Sequence, residues 1–289
     1  MALLKTILVP LTGDTLATHV VDAAFHVAAL NDGHIIGTHT VGDPLVYGGY
    51  LGLGMSGAYH EELYKAAHKV TTHLREQAQA AFNQVCEKQS IKTVERPTSE
   101  PGVSGFWLPL AHTYNDPVST VGRVVDLVVV DQPREVSSFN ETQALEAALF
   151  HTGNPVLMVP KETAHFEPKH AAIAWNGSIP ASRALSASLD LIKHAEIVSI
   201  IQIGDVPEGK PDANLASARL GWHDIKSVIH RIEDDDKADG VTLLNTCKDL
   251  SADLIVMGAY ARSPLREVVF GGMTRHVISH SDIPVLFAH

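Results

Sequence analysis

Short apolar runs alternate along this chain with longer stretches in which apolar residues recur every three or four positions. Thr6 to Leu11, TILVPL, is the first run. A continuous apolar run of that length suits a strand buried on both faces of a parallel sheet. Thr12-Gly13-Asp14 ends it, and from about Thr15 to Asn31 Val20, Ala23, Ala24, Val27 and Leu30 stand at helical spacing, with Gly33 as the stop. His34 to Val41 reads as a second strand. The following GDPLVYGGYLGLGMSGAY, with five glycines between Gly48 and Gly57, reads as a surface crossover. Tyr47, Tyr50, Leu51 and Leu53 would be the apolar contacts of a lid there. Glu61 to Glu87 predicts a long helix with Leu63, Ala67, Val70, Leu74, Ala78 and Ala81 on one face. After an exposed connection from Lys88 to Val103 come a strand from Gly105, a short helix from Asp116 to Val124, a buried strand from Asp126 to Pro133, a helix from Thr142 to Thr152 and a last strand from Pro155 to Pro160.

The polar segment KETAHFEPK, Lys161 to Lys169, then breaks the pattern, and the same order begins again. AAIAWNGS echoes TILVPLTG, EIVSIIQIGD echoes HIIGTHTVGD, ADLIVMGAY echoes VDLVVVDQP, and HSDIPVLFAH echoes HTGNPVLMVP. A repeat this long marks a duplicated domain rather than a solenoid. Strands alternating with amphipathic helices predict an α/β fold, two tandem doubly wound, mostly parallel sheets. The expected units are residues 1–160, a linker at 161–169, and 170–289. The two Pro-containing terminal strands, PVLMVP and IPVLFAH, could pair edge to edge within one chain and form a pseudo-twofold unit.

The second half carries the candidate chemistry. Leu254, Ile255, Val256 and Met257 form a buried strand ending on Gly258, and a loop leads to Gly271-Gly272-Met273-Thr274 at the start of a helix. Glycines between a strand's carboxyl end and a helix start are the parts of a phosphate cradle. Backbone N–H groups can converge there, and the helix dipole favours an anion. Gly258, Ala261, Gly271 and Gly272 read G-x2-A-x9-G-G, with Thr274 two residues on.

That spacing, with the flanking strand, the TRHVI helix and the closing IPVLFAH strand, resembles the G-x2-G-x9-G-[ST] signature of the universal stress protein family. The resemblance implies ATP, or another adenine nucleotide, held at this loop. Ala261 stands where the family has Gly, and Gly272 stands where it has Ser or Thr. The resemblance further implies that Ala174, Trp175, Asn176 and Ser178 approach the adenine and ribose, with Asn176 in place of the family's Asp. It implies that the backbone of Gln202 faces the adenine edge. Arg262 and Arg266 could meet phosphate oxygens. In the first half, DQPREVSSFNETQAL has no glycine where the second has GAYARSPLREVVFGG, and Thr12 matches Asn176, so that half reads as structural.

Composition narrows the rest. A formal charge of −11 argues against non-specific nucleic-acid or anionic-membrane binding. No run approaches a membrane span, and the opening residues enter a strand directly, so the expectation is a cytoplasmic protein without a signal peptide. Cys86 and Cys247 read as buried free thiols. Among 17 histidines, His276 and His280 share a helix face but lack further ligands, so no metal ligand set is expected. No G-x-S-x-G or H-E-x-x-H pattern points to hydrolysis, and no catalytic residue is assigned. The expected role is a stress-response or signalling protein with a nucleotide ligand, a protein partner not named by the sequence, and room for further homodimerisation. The competing expectations are a ligand-independent interaction module whose loop is a relic, and a nucleotide hydrolase.

Overall fold

A computed structural model of the chain describes residues 4–14, 16–40, 57–98, 100–109, 116–133, 139–233, 239–259 and 272–289. The lid expected within 41–56 lies outside the described residues. The first half runs β1 (Thr6–Leu11), α1 (Thr18–Ala29), β2 (His34–His39), α2 (Gly57–Lys88), β3 (Lys92–Thr93), β4 (Ser104–Leu108), α3 (Pro117–Val121), β5 (Leu127–Asp131), α4 (Phe139–His151) and β6 (Val156–Val159). The second runs β7 (His170–Ala174), α5 (Ile179–Ile192), β8 (Ile197–Ile203), α6 (Ala213–Gly221), β9 (Val228–Ile232), α7 (Asp239–Asp249), β10 (Leu254–Gly258), α8 (Gly272–His280) and β11 (Val285–Ala288).

The eleven strands among the described residues form one sheet, ordered β3-β4-β2-β1-β5-β6-β11-β10-β7-β8-β9. Every neighbour is parallel except β6 and β11, which run antiparallel with Val285 opposite Met158 and Phe287 opposite Val156. The order reads alike outward from that central pair, apart from the short extra strand β3, and this is the expected pseudo-twofold. Because β6 and β11 occupy each other, β3 and β9 are the sheet's outer edges.

Burial follows the pleat. Ile7, Val9 and Leu11 join one apolar layer with α1, α2, α5 and α6, while Leu8 joins the other with α3, α4, α7 and α8. Each layer contains residues of both halves, so the two repeats share a core. Helix starts are fixed by short side chains. Asp116 caps α3 by accepting from the amides of Val118 and Ser119, Ser178 caps α5, and Asp212 caps α6. The long helix keeps its predicted face in part. Ala78 and Ala81 of that face are buried, with Phe82 and Val85 beside them, but Val70 is 59% exposed. Cys247 is buried and Cys86 half-buried. Burial pushes their thiols up to about 12 and about 11, so both stay protonated at neutral pH.

Polar groups also cross between the repeats. Gln132 Nε2, at the end of β5, donates to the carbonyls of Ile278 (2.7 Å) and Ser281 (3.0 Å) at the end of α8. Asp190 of α5 accepts from the Leu4 amide at 3.1 Å and from Asn31 Nδ2, and pairs with Lys193. Burial works to raise the Asp190 carboxyl, but its bonds from Lys193, Leu4 and Asn31 together hold it below its ordinary value. A carboxyl depressed by folding stabilises the fold above its unfolded pKa of about 3.9, and that contribution is lost as pH falls through the lower folded value.

Asp190→Ala is therefore expected to cost about 1–3 kcal/mol at pH 7, the usual penalty for orphaning buried donors. The deficit should shrink as both proteins are taken below pH 3. Urea unfolding at the two pH values measures it, and a deficit unchanged by acid would show that the Asp190 charge is not what matters.

Candidate functional site

The carboxyl ends of β7, β8 and β10 open on a cleft bounded by Ala174, Trp175, Asn176, Ile203, Gly258 and Met273, with a cavity of about 70 Å3. This is where open parallel sheets bind ligands, beside a switch in strand order. Here β7 lies between β10 and β8, and the chain leaves it toward α5.

The turn after β7 is tightly built. Gly177 has φ of +68°, and a Cβ there would lie 2.7 Å from the Pro211 carbonyl oxygen. Asn176 is exposed, and its Oδ1 accepts from the Ser178 amide at 3.1 Å, which folds the side chain over its own turn. Ser178 Oγ accepts from the Ala181 amide at 3.3 Å as the cap of α5. Trp175 is 5% exposed, and its indole N–H donates to the Pro211 carbonyl at 2.9 Å. It forms a wall of the cleft rather than a free stacking platform.

Gln202 is drawn to another task. Its Oε1 accepts from the Ala213 amide at 3.0 Å and its Nε2 donates to the Gly204 carbonyl at 3.1 Å, pinning the β8–α6 connection. Its backbone also turns away from the cleft. The Trp175 amide donates to Ile201 O, and the Gly204 amide donates to Ile232 O on β9. Backbone polar groups alternate sides along a strand, so Gln202 faces β9 and Ile203 faces the side where β7 has ended. The free backbone edge beside the cleft belongs to Ile203, one residue beyond the position that the family resemblance marks.

The glycines divide. A Cβ on Gly258 would lie 2.4 Å from the Ala181 nitrogen and 2.6 Å from the Pro180 carbonyl carbon. This glycine is needed for the close approach of α5, a packing reason independent of any ligand. Gly272 opens α8, is exposed, and has open space around its Cβ position. It is absent from the positive-φ positions, so no left-handed geometry demands a glycine there. Met273 lines the cleft. Thr274, two residues beyond Gly272 in the candidate loop-helix motif, is 5% exposed and belongs to the buried side of α8. Ala261, Arg262, Arg266 and Gly271 lie outside the described residues.

Asp239 was not anticipated. It is the first residue of α7 and lines the cleft through the fold, not through any sequence spacing to the glycine loop. Its only sequence signal is its place at a helix start, where acidic residues are common. His276 and His280 stack at 4.2 Å with rings 13° apart, and both burial and the neighbouring ring lower the His276 pKa.

The corresponding place in the first half is nearly closed, with about 10 Å3 among Leu11, Thr12, Ala17, Asp131, Glu141 and Ala144. Gly13 repeats the turn of Gly177, with φ of +81°. Asp131 stands where the second half has Gly258, and its carboxylate meets His19 Nε2 at 3.0 Å. At this strand end the first half thus carries an acidic side chain paired with α1, where the second half carries a glycine against the α5 backbone.

Fold and cleft together define a tandem doubly wound α/β protein with an open cleft at the strand ends of its second half. Residues 176–289 match the model of the universal stress protein family. The second half of the chain is therefore a universal stress protein domain, and the first half repeats its fold. A universal stress protein from Archaeoglobus fulgidus DSM 4304 superposes with a TM-score of 0.60 at 15% identity, over 98% of this chain and 97% of that one. A Pseudomonas aeruginosa UCBPP-PA14 protein ascribed to the same family gives 0.59 at 15% identity, over 99% and 93%. At such identity the likeness is one of fold. The search of curated proteins gives no match.

The two glycines predict opposite responses. Gly258→Ala should lower stability by about 1–3 kcal/mol through overpacking. Gly272→Ala, placed in open space, should be neutral or gain up to about 0.5–1 kcal/mol of helix stability. Thermal unfolding of the two variants decides it, and equal melting temperatures would contradict the packing role of Gly258.

Proposed function

We propose that the chain is a cytoplasmic stress-response protein that binds an adenine nucleotide, ATP foremost, in its second half only. The observation that carries this is the contrast between the cleft of about 70 Å3 at the strand ends of the second half and the space of about 10 Å3 at the matching place in the first. Residues 1–160 and 170–289 serve as the two units and 161–169 as their link.

In this reading the base lies along the apolar wall of Ile201, Ile203 and Met257, with the Ile203 backbone at its edge. The cavity is too small to enclose a nucleotide, so the ligand rests across its mouth. Asp239 supplies a carboxylate that can accept from ribose hydroxyls, a charge that Asn176 does not bring. The phosphates run toward the amino end of α8, where Gly272 lets them approach closely and the helix dipole favours them. Ala261, Arg262, Arg266 and Gly271 belong to the same proposal from the sequence spacing.

The relic-loop reading draws on two observations. Gly258 has a packing role of its own, and the Thr274 hydroxyl is buried. Mass spectrometry of small molecules released from gently purified protein separates the two readings, since only the first predicts a stoichiometric adenine nucleotide.

Titration calorimetry with ATP should give one site per chain. Gly272→Val adds bulk where the phosphates approach but fits the empty protein, so it should weaken binding about tenfold or more with little change in melting temperature. Gly272→Ser adds a hydroxyl worth about 0.5–1.5 kcal/mol and should bind at least as well as the parent. Two equivalent sites, or parental affinity in the Val variant, would sink the assignment.

A further inference from the structure

On the far side of the first repeat, the fold gathers ligands that no short sequence spacing reveals. Asp22 and His26 stand one turn apart on α1, and His165 reaches them from the connecting segment between the repeats. One donor atom from each lies within 4.8 Å of the others. The two imidazoles meet edge to face with centroids 4.2 Å apart.

Hydrogen bonding prepares both rings. His26 Nδ1 lies 2.7 Å from the Asp22 carbonyl oxygen, and His165 Nε2 lies 3.2 Å from a Glu167 carboxylate oxygen. A ring nitrogen that donates to oxygen leaves the lone pair on the other nitrogen, which is the form in which histidine binds metals. His165 Nδ1 is thus an available donor, while His26 Nδ1, the nitrogen 3.6 Å from an Asp22 carboxylate oxygen, exchanges the Asp22 carbonyl for the ion.

The Asp22 carboxylate accepts from Gln89 Nε2 at 3.0 Å. Lys88 Nζ lies 3.8 Å away on a side chain that is 70% exposed and free to swing outward. Beside Asp22 lies an open hollow of about 240 Å3, bordered by Thr18, His19, Lys88 and Thr163. It has room for water ligands.

We propose that Asp22, His26 and His165 bind a divalent first-row transition ion of the zinc type. Two imidazole nitrogens and a carboxylate oxygen ligate it, water completes the sphere, and Glu167 steadies His165 from outside. Nitrogen donors favour this class over calcium or magnesium, which take oxygen. The donors stand somewhat wider apart than ligands about 2.0–2.2 Å from a shared zinc ion would. His165, 54% exposed on the connecting segment, closes that gap by moving inward. The bound ion fastens segment 161–169 to α1 and so fixes the link between the repeats.

The test is Zn2+ titration of the full chain after chelator treatment, with the Co2+ absorption spectrum as a second readout. Expected are one ion per chain, a tetrahedral-type Co2+ spectrum, and a loss of affinity of about tenfold or more in His165→Ala and in Asp22→Asn. His165 is exposed, so its variant is expected to fold. Zinc should also slow proteolysis within 161–169 in the parent and not in His165→Ala. The double variant His276→Ala, His280→Ala controls for the stacked surface pair and should bind as the parent does. Parental affinity in His165→Ala, loss of binding in the double variant alone, or no uptake below millimolar Zn2+ would each overturn the site.

Discussion

Three register pairs, Val285 with Met158, Leu286 with Leu157 and Phe287 with Val156, join two parallel sheets into one. All six residues are fully buried, so this seam is as dry as any strand pair within a repeat. Each repeat alone would leave a bare apolar strand edge, which favours unwanted pairing. Closing both edges on each other removes that liability and merges the layers above and below the sheet. The bonds from Gln132 to the end of α8, and from Leu4 and Asn31 to Asp190, then fix the repeats' relative placement. The open cleft and the closed one are held by the same slab.

Much of this was legible in the sequence because burial on both faces leaves a strong signal. Runs such as DLVVV and LIVM have one structural explanation, and the echo of PVLMVP in IPVLFAH pointed to the central pairing. Val70 was misplaced because helical spacing records a face without recording whether anything covers it. At the candidate site, the resemblance pointed to residues whose side chains have duties that it did not foretell. Asn176, Ser178 and Gln202 all spend hydrogen bonds on the local backbone. Asp239 could not be read because it reaches the cleft through α7, far in sequence from the glycine loop. His165 was hidden for the same reason, since its neighbours on α1 are more than a hundred residues away.

The two clefts show how little chemistry separates an open site from a filled one. The turns at Gly13 and Gly177 share a left-handed glycine, and Ala17 and Ala181 take matching places behind them. The difference lies at the strand end. A hydrogen atom at Gly258 lets the backbone of α5 come close, whereas Asp131 carries a carboxylate there that takes His19 of α1 as its neighbour. One copy of a duplicated fold thus holds an acid–histidine contact where the other brings a strand end and a helix backbone together.

The central seam also sets the order in which the molecule can form. β6 and β11 are separated by residues 160–284, so their pairing closes a very long loop and comes only after each repeat has gathered its own parallel strands. Until then two half-sheets coexist, each with one naked edge of fully apolar residues. Those edges are alike by pseudo-symmetry, so β6 of one molecule can meet β6 or β11 of another as readily as its own partner. Refolding yield should therefore depend on protein concentration, with exchange of whole repeats between chains competing against correct closure.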